Sequence, residues 1–347
     1  MSCQIHMTKT IVKSIDNKQK WEDFLGTHPE ANFLQSWDWG EFHKRLGKVI
    51  VRRGFYEDKK LIGVMLSIVE DAKRGRYLTV PGGPIIDWDN KALVDASFAE
   101  MKRIALSARC VFIRIRPQLV TSDLAIKIFR EHGCRNAPMH LHAELSSILD
   151  ITKSDDSLLA KMRKTTRYEI RKAEKLGIKV QVSRDERDIK DFYDLQMRTA
   201  KRQEFVPFSY SFLAEQFEVF LVGGNALLYT ALYEGKVLAR AFIIFYGQEA
   251  VYHYGASTED GRKYPGAYLL QWEAIKEAKR RGMTRYNFWG VAPVEEHDHR
   301  FYGVSVFKRG FGGEDAAYLH AQDLVIDNLW YLTNYIVEIV RKRLRKV

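Results

Sequence analysis

Apolar and polar residues change period many times along this chain, and each change predicts an element boundary. Residues 92–108 and 122–132 carry apolar positions at helical spacing. Residues 49–56 and 60–70 alternate or run apolar around the polar turn Glu57-Asp58, the pattern of a β-hairpin. Helices are expected at 21–25 and 32–46, the second rich in aromatics (Phe33, Trp37, Trp39, Phe42). Residues 76–86 read as a strand interrupted by Pro81-Gly82-Gly83-Pro84, because proline has no amide to give a ladder. A strand at 111–116 follows. Alternation at Met139, Leu141, Ala143 and Leu145 predicts another strand, at the end of a first unit.

Residues 154–176 carry the clearest helical pattern. Ser154, Asp155 and Asp156 supply N-cap and first-turn chemistry, and Gly177 stands where helices commonly stop. Leu159, Met162, Thr166, Ile170 and Ala173 form one stripe, while Arg163, Arg167, Arg171 and Lys175 repeat every fourth residue on another face. Beyond it the pattern predicts helices at 189–204 and 210–222, and strands at 226–232, 237–246 and 249–256. A helix at 268–281, a strand at 285–288 and a C-terminal helix at 323–347 complete the chain.

The hairpin signal occurs twice. Tyr56-Glu57-Asp58-Lys59-Lys60-Leu61-Ile62-Gly63 returns as Tyr233-Glu234-Gly235-Lys236-Val237-Leu238-Ala239-Arg240, four of eight residues identical at an offset of 177. Residues 111–117 answer 285–291 at an offset of 174. A repeat this long is a duplicated domain rather than a solenoid unit. The chain therefore reads as two copies of one mixed α/β unit, with function sought in that unit and in a groove between copies.

Composition adds less. The 347 residues, 46% hydrophobic and 29% charged, suit two soluble domains. No run of 18 apolar residues exists and residues 1–13 lack a signal-peptide core, so a cytoplasmic location is expected. Cys3, Cys110 and Cys134 have no paired spacing, which suggests neither a disulfide frame nor a zinc cluster. The pairs His140/His142 and His297/His299 lack metal-ligand spacing, so no metal is expected. A net charge of +11 favours an anionic partner such as nucleic acid, a phosphorylated small molecule or a membrane face.

Three stretches carry a family resemblance. They are Phe33-Leu34-Gln35-Ser36-Trp37-Asp38-Trp39-Gly40; residues 161–177, Lys161-Met162-Arg163-Lys164-Thr165-Thr166-Arg167 through Gly177; and Phe288-Trp289-Gly290-Val291 followed by Phe307-Lys308-Arg309-Gly310-Phe311-Gly312-Gly313. Together, in order from about residue 30 to the C-terminus, they resemble the FemABX family of aminoacyl-tRNA-dependent peptidoglycan peptidyltransferases. The resemblance implies an α/β protein of two tandem acyltransferase domains of the GNAT type, 1–148 plus 320–347 and 149–319, with the last helix packed back on the first. No sustained heptads are present, so the chain is similar to members lacking a coiled-coil arm.

The implied reaction moves an aminoacyl group from a tRNA ester to an amine of a peptidoglycan precursor, nucleotide- or lipid-linked. Aminoacyl-tRNA is then a co-substrate and no cofactor is needed. Such a step needs positioning and charge stabilisation more than a strong base. The resemblance assigns Lys308, beside Phe307, to stabilising the oxyanion; a surface lysine near a glycine turn is the alternative. Asp87 is suited to orient or deprotonate the incoming ammonium, or is a turn residue before Trp88-Asp89-Asn90. Arg202 and Tyr254 match acceptor-cleft residues, with Trp39 and with His43, which stands where some members carry lysine. Arg163, Arg167, Arg171 and Lys175 are placed to track a tRNA backbone, or form a solvated basic face. The tail 341–346, after Trp330, Tyr331 and Tyr335, suits either contact with the inner membrane face or simple solvation.

Two rival functions stand beside this one. An acyl-CoA-dependent N-acyltransferase of the GNAT type would cradle pyrophosphate at Arg262-Lys263-Tyr264-Pro265-Gly266-Ala267, where proline removes one amide donor. A non-catalytic RNA-binding protein on the same scaffold would need none of the site residues.

Overall fold

A computed structural model describes residues 10–139, 142–203 and 205–345. Its first stretch forms β1 (Ile11–Ser14), α1 (Lys18–Gly26), α2 (Trp37–Arg45), β2 (Val49–Glu57), β3 (Lys60–Ala72), β4 (Gly75–Pro81), β5 (Ile85–Ile86), α3 (Lys91–Ser107), β6 (Cys110–Arg116), α4 (Asp123–Glu131) and β7 (Arg135–Asn136). The middle contains β8 (Leu145–Asp150), α5 (Asp155–Lys161), α6 (Lys164–Lys175), β9 (Lys179–Ser183), α7 (Asp188–Gln203), α8 (Tyr210–Val222), β10 (Ala226–Tyr233), β11 (Lys236–Tyr246), β12 (Glu249–Ser257), α9 (Gly266–Arg280), β13 (Arg285–Gly290), α10 (Tyr302–Arg309) and β14 (Glu314–Ala317). Last come β15 (Gln322–Val325) and α11 (Asn328–Arg345). The chain divides into two compact units, Met1–His142 with Tyr318–Val347, and Ala143–Ala317.

In the first unit the strands run in the order β1-β2-β3-β4-β6-β15-β7, with β5 added beside β3. All neighbours are antiparallel except β4 and β6, which are parallel and joined through α3. A crossover of this kind needs a helix to cover the sheet. Accordingly α3, capped by the Asn90 side chain on Leu93 N at 3.1 Å, buries Leu93, Val94, Phe98, Met101, Ile104 and Ala105. The second unit repeats the plan in the order β9-β10-β11-β12-β13-β8-β14. Here β12 and β13 are the parallel pair and α9 is the covering helix, burying Leu269, Leu270, Trp272, Ala274, Ile275 and Ala278.

The two hairpins are equivalent in their backbones. Asp58 and Lys59 turn at φ 45° and 69°, Glu234 and Gly235 at 48° and 75°, each pair being the two left-handed residues of a tight hairpin turn. A bulge follows at Phe55/Tyr56 in one and Ala231/Leu232 in the other. Matching these turns requires an offset one residue shorter than the 177 at which the letters align. Glu57 is thus in a strand while Glu234 is in the turn.

Several expected elements change. The 154–176 helix breaks in two, because Met162 is extended (ψ 151°) and Arg163 N donates to Gly310 O at 2.9 Å instead of within a helix. Residues 32–46 begin with a single 3-10 turn, Phe33–Gln35, before Ser36 caps α2. The strand expected at 139–145 lies at Leu145–Asp150 and belongs to the second sheet, while residues 140 and 141 lie outside the described residues. The C-terminal helix starts at Asn328; Asp323 to Val325 pair with β6 as part of β15. Among the described residues the longest helix is α11 with 18 residues, and no helix is long and apolar enough to cross a membrane.

Candidate active site

The parallel pairs of the two units differ where they end. β4 and β6 stay paired from Arg76/Cys110 to Pro81/Arg116. β12 and β13 pair only at Glu249/Arg285, Ala250/Tyr286 and Val251/Asn287, after which both strands continue but part. Each parting strand is irregular at that point. His253 is the extra residue of a bulge against β11, and Phe288 with Trp289 interrupts the pairing of β13 with β8. Bulges re-aim side chains and end a ladder. Trp289 is held at φ 61°, a left-handed conformation that costs a bulky residue about 1–2 kcal/mol. Asn287 supports it by accepting Trp289 N on Oδ1 at 2.8 Å.

Lys308 stands at the mouth of this splay. Its ammonium donates to the Gly290 carbonyl at 2.7 Å and lies 5.7 Å from the Tyr252 ring centroid. The residue is 9% exposed, which rules out the surface-lysine alternative. Burial pulls its pKa down from the usual lysine range to about 7. An ammonium has three donors, and the carbonyl occupies one of them.

The helix that carries it is anchored through glycine. Gly312 turns at φ +87°, and a Cβ there would sit 3.0 Å from the Lys161 carbonyl, so a side chain would push α10 off the α5–α6 junction. Phe307 packs on Tyr268 at 4.9 Å and Phe311 at 5.4 Å, so its ring holds α10 to the core. A separate cavity of about 200 Å³ beside α10 is lined by Arg163, Val294, Tyr302, Val306, Arg309 and Gly310.

Aromatic residues of β12 complete the site. His253 shares a 3.0 Å hydrogen bond with Gln216 of α8 and lies 5.8 Å from the Trp289 ring. Burial lowers its pKa to about 3, leaving it neutral. Tyr254 packs against Phe208 and Phe242, and burial raises its phenol well above the ordinary value. The sequence marks Tyr254 and Lys308 as candidates, while Tyr252, His253, Gln216 and Trp289 are placed beside them by the structure alone. The available signal was the run Tyr252-His253-Tyr254 in the far half of a strand.

The remaining candidates are placed as follows. Arg202 donates from Nη2 to the Ser257 carbonyl at 2.8 Å, tying α7 to the end of β12; binding a phosphate requires exchanging that partner. Arg163, Arg171 and Lys175 are exposed. Arg167 departs from that stripe: its Nη1 caps α5 through Leu159, Ala160 and Met162 carbonyls at 3.3, 2.8 and 2.7 Å. His297 and His299 are ordinary turn residues, the latter accepting Phe301 N at 3.1 Å.

Asp87, Trp39 and His43 belong to the first unit. Asp87 is exposed and accepts Asp89 N at 3.0 Å, so the turn role is realised. His43 is buried between Trp39 and Phe42, at 5.0 and 4.7 Å. Burial lowers its pKa to about 3, so it cannot replace a lysine as a phosphate-pairing cation. Gln35, within the quoted motif, has a structural task. It bridges β3 and β4 by donating to Pro81 O at 2.7 Å and accepting Leu66 N at 2.8 Å.

Two sheets of this topology define a tandem acyltransferase fold. A solved structure described as FemX covers 94% of this chain and all of its own, with a TM-score of 0.85 at 20% identity. A tandem GNAT protein from the clavulanic acid biosynthesis pathway matches 91% of the chain with a TM-score of 0.60 at 12% identity. The FemAB family matches residues 17–235 and 228–337, and the chain belongs to that family. Relatives named lipid II:glycine glycyltransferase, from Staphylococcus epidermidis and Staphylococcus aureus, are 23% and 22% identical, each covering 94% of this chain and 95% of the relative.

Proposed function

We propose that this protein is an aminoacyltransferase of the cytoplasm that moves an aminoacyl group from a charged tRNA to a primary amine of a peptidoglycan precursor. The observation that carries the reading is Lys308, a buried cation at the parting of β12 and β13, in a FemAB chain matching glycyltransferases nearly end to end. In the step, the neutral amine attacks the ester carbonyl carbon and charge collects on the carbonyl oxygen. The C–O bond to the ribose then breaks, and the proton leaving nitrogen ends on the ribose oxygen. A donor aimed at the developing oxyanion is the main aid such a reaction needs.

The loop before α9 favours tRNA over acyl-CoA as donor. Its amides at Arg262, Lys263, Tyr264 and Gly266 already donate to Glu259, Asp260, Asp260 and Tyr264 carbonyls at 2.9–3.1 Å. Pro265 has no amide, so few donors remain to cradle a pyrophosphate. The net charge of +11 and the exposed Arg163, Arg171 and Lys175 suit a polyanion. Arg171→Ala and Lys175→Ala are expected to weaken tRNA binding and each reduce the salt slope by about 1. Arg167→Ala should instead cost about 1–2 kcal/mol of stability and leave that slope unchanged. Filter binding across a salt series, with urea melts, checks both.

The donor is tested by incubating the protein with a pool of charged tRNAs or with acetyl-CoA, and with UDP-linked or lipid-linked muropeptide. Mass spectrometry should find the acceptor heavier by one or more aminoacyl residues, a gain abolished by prior deacylation of the tRNA. An acetylated acceptor, or none modified, rejects the reading.

A further inference from the structure

Helix α11 is mounted through a mixed face, on which Tyr331 and Tyr335 pack against Val111 and Phe112 beside a set of polar groups. Tyr331 and Asn334, both buried, face the first unit, and Glu338 joins them. Tyr331 Oη donates to Asp323 at 3.0 Å, Asn334 Nδ2 to Arg74 O at 3.0 Å, and Glu338 pairs with Arg114 at 2.9 Å. The outward face carries Leu329, Leu332, Ile336 and Val340, spaced three or four residues apart, with Trp330 at its flank. Their exposures are 74, 54, 53, 49 and 53% respectively. A helix docked for stability alone normally buries its apolar stripe. Here aromatic packing and polar bonds together hold one face, and a second, apolar stripe is left exposed.

The end of the helix indicates what that is. Arg341 and Lys342 are exposed, and the sequence continues Arg343-Leu344-Arg345-Lys346, with no acid after Glu338. We propose that α11 docks this protein on an anionic lipid bilayer, the stripe Leu329–Leu332–Ile336–Val340 entering the headgroup boundary while the basic end lies over lipid phosphates. An apolar face ending in dense positive charge matches that interface, and a tryptophan at its edge suits the headgroup depth. At 18 residues and partly polar, the helix lies on the bilayer instead of crossing it.

The experiment is flotation of the full chain with vesicles of phosphatidylglycerol mixed with phosphatidylcholine, and with phosphatidylcholine alone, plus light scattering without lipid. The wild type should float with the anionic vesicles and be released by salt. Leu332→Ser/Ile336→Ser should weaken that partition on the order of tenfold, with only a small change in melting temperature since both side chains are about half exposed. Arg341→Ala/Lys342→Ala should weaken it comparably and flatten the salt dependence, which provides a second route should the serine variant misfold. Absence of flotation with anionic vesicles, or equal flotation of wild type and both variants, overturns the proposal. So does a dimer in light scattering that the stripe variant dissolves, because a second copy then covers the stripe.

Discussion

Lys308→Met is expected to slow acyl transfer on the order of 10²–10³-fold, the usual cost of losing one oxyanion donor, with little change in the acceptor's KM. The same substitution should stabilise the protein. Burial lowers the lysine's pKa from 10.5 in the open chain to about 7 when folded. Between those values the unfolded chain holds a proton that the folded chain has released, so stability falls as pH drops from about 10.5 to about 7. Methionine removes that penalty. Thermal melts should therefore place Lys308→Met above wild type at pH 7, by on the order of a few kcal/mol less the lost bond to Gly290, with the gap closing toward pH 10. A variant that is firmer yet slower identifies a group retained for chemistry. A purely structural lysine would give the opposite stability result.

The second large effect lies in the first unit. Asp323 is fully buried on β15, accepting Arg114 Nε and Nη2 at 2.8 Å each and Tyr331 Oη at 3.0 Å. Arg114 on β6 also reaches Glu338 on α11, so one carboxylate ties two strands to the last helix. Asp323→Ala leaves a buried guanidinium short of its bidentate partner, and removal of one member of such a pair costs about 3–5 kcal/mol. The expected result is a lower urea midpoint, with early loss of amide protection in α11. If exchange in α11 matches wild type, the helix is held by other contacts. A triple replacement by apolar residues, Arg114→Leu with Asp323→Leu and Glu338→Leu, should recover much of the loss, because the whole charged triad is then gone.

How much of this the sequence disclosed depended on element length. The two hairpins were legible because β2–β3 and β10–β11 are long enough to show their period and share a turn motif. β15 was not: its four residues cannot display an alternation, and the apolar residues that follow suit a helix equally well. α10 was hidden for a similar reason, as its eight residues include Gly303 and stop at Gly310, and two glycines suppress a helical reading. Arg167 shows a different limit. Its place in the basic repeat was plain, but the break at Met162 that gives it carbonyls to cap comes from the Gly310 turn, far away in sequence.

The site itself was half visible. Lys308 was marked by its family resemblance, whereas its burial and lowered pKa arise from three segments meeting at the splay. No local pattern announces that β12 and β13 will part after three pairs. The bulge at His253 and the left-handed Trp289 stand where the two strands part. The resemblance places His43 where some members carry lysine, but the sequence does not show what packs around it. Packing between Trp39 and Phe42 keeps it neutral instead.

The role of the Lys308 cation is tested most directly by the pH dependence of kcat/KM for wild type and Lys308→Met. The acceptor amine must lose a proton to react, which gives a slope of one in log rate up to about pH 10 for a lysine-like amine. A required ammonium titrating near 7 cancels that slope above neutrality. Wild type should thus rise to about pH 7 and level off, while Lys308→Met, much slower, climbs steadily through it. Parallel profiles with no break near pH 7 in wild type would contradict the assignment of Lys308 as the charge that stabilises the transition state.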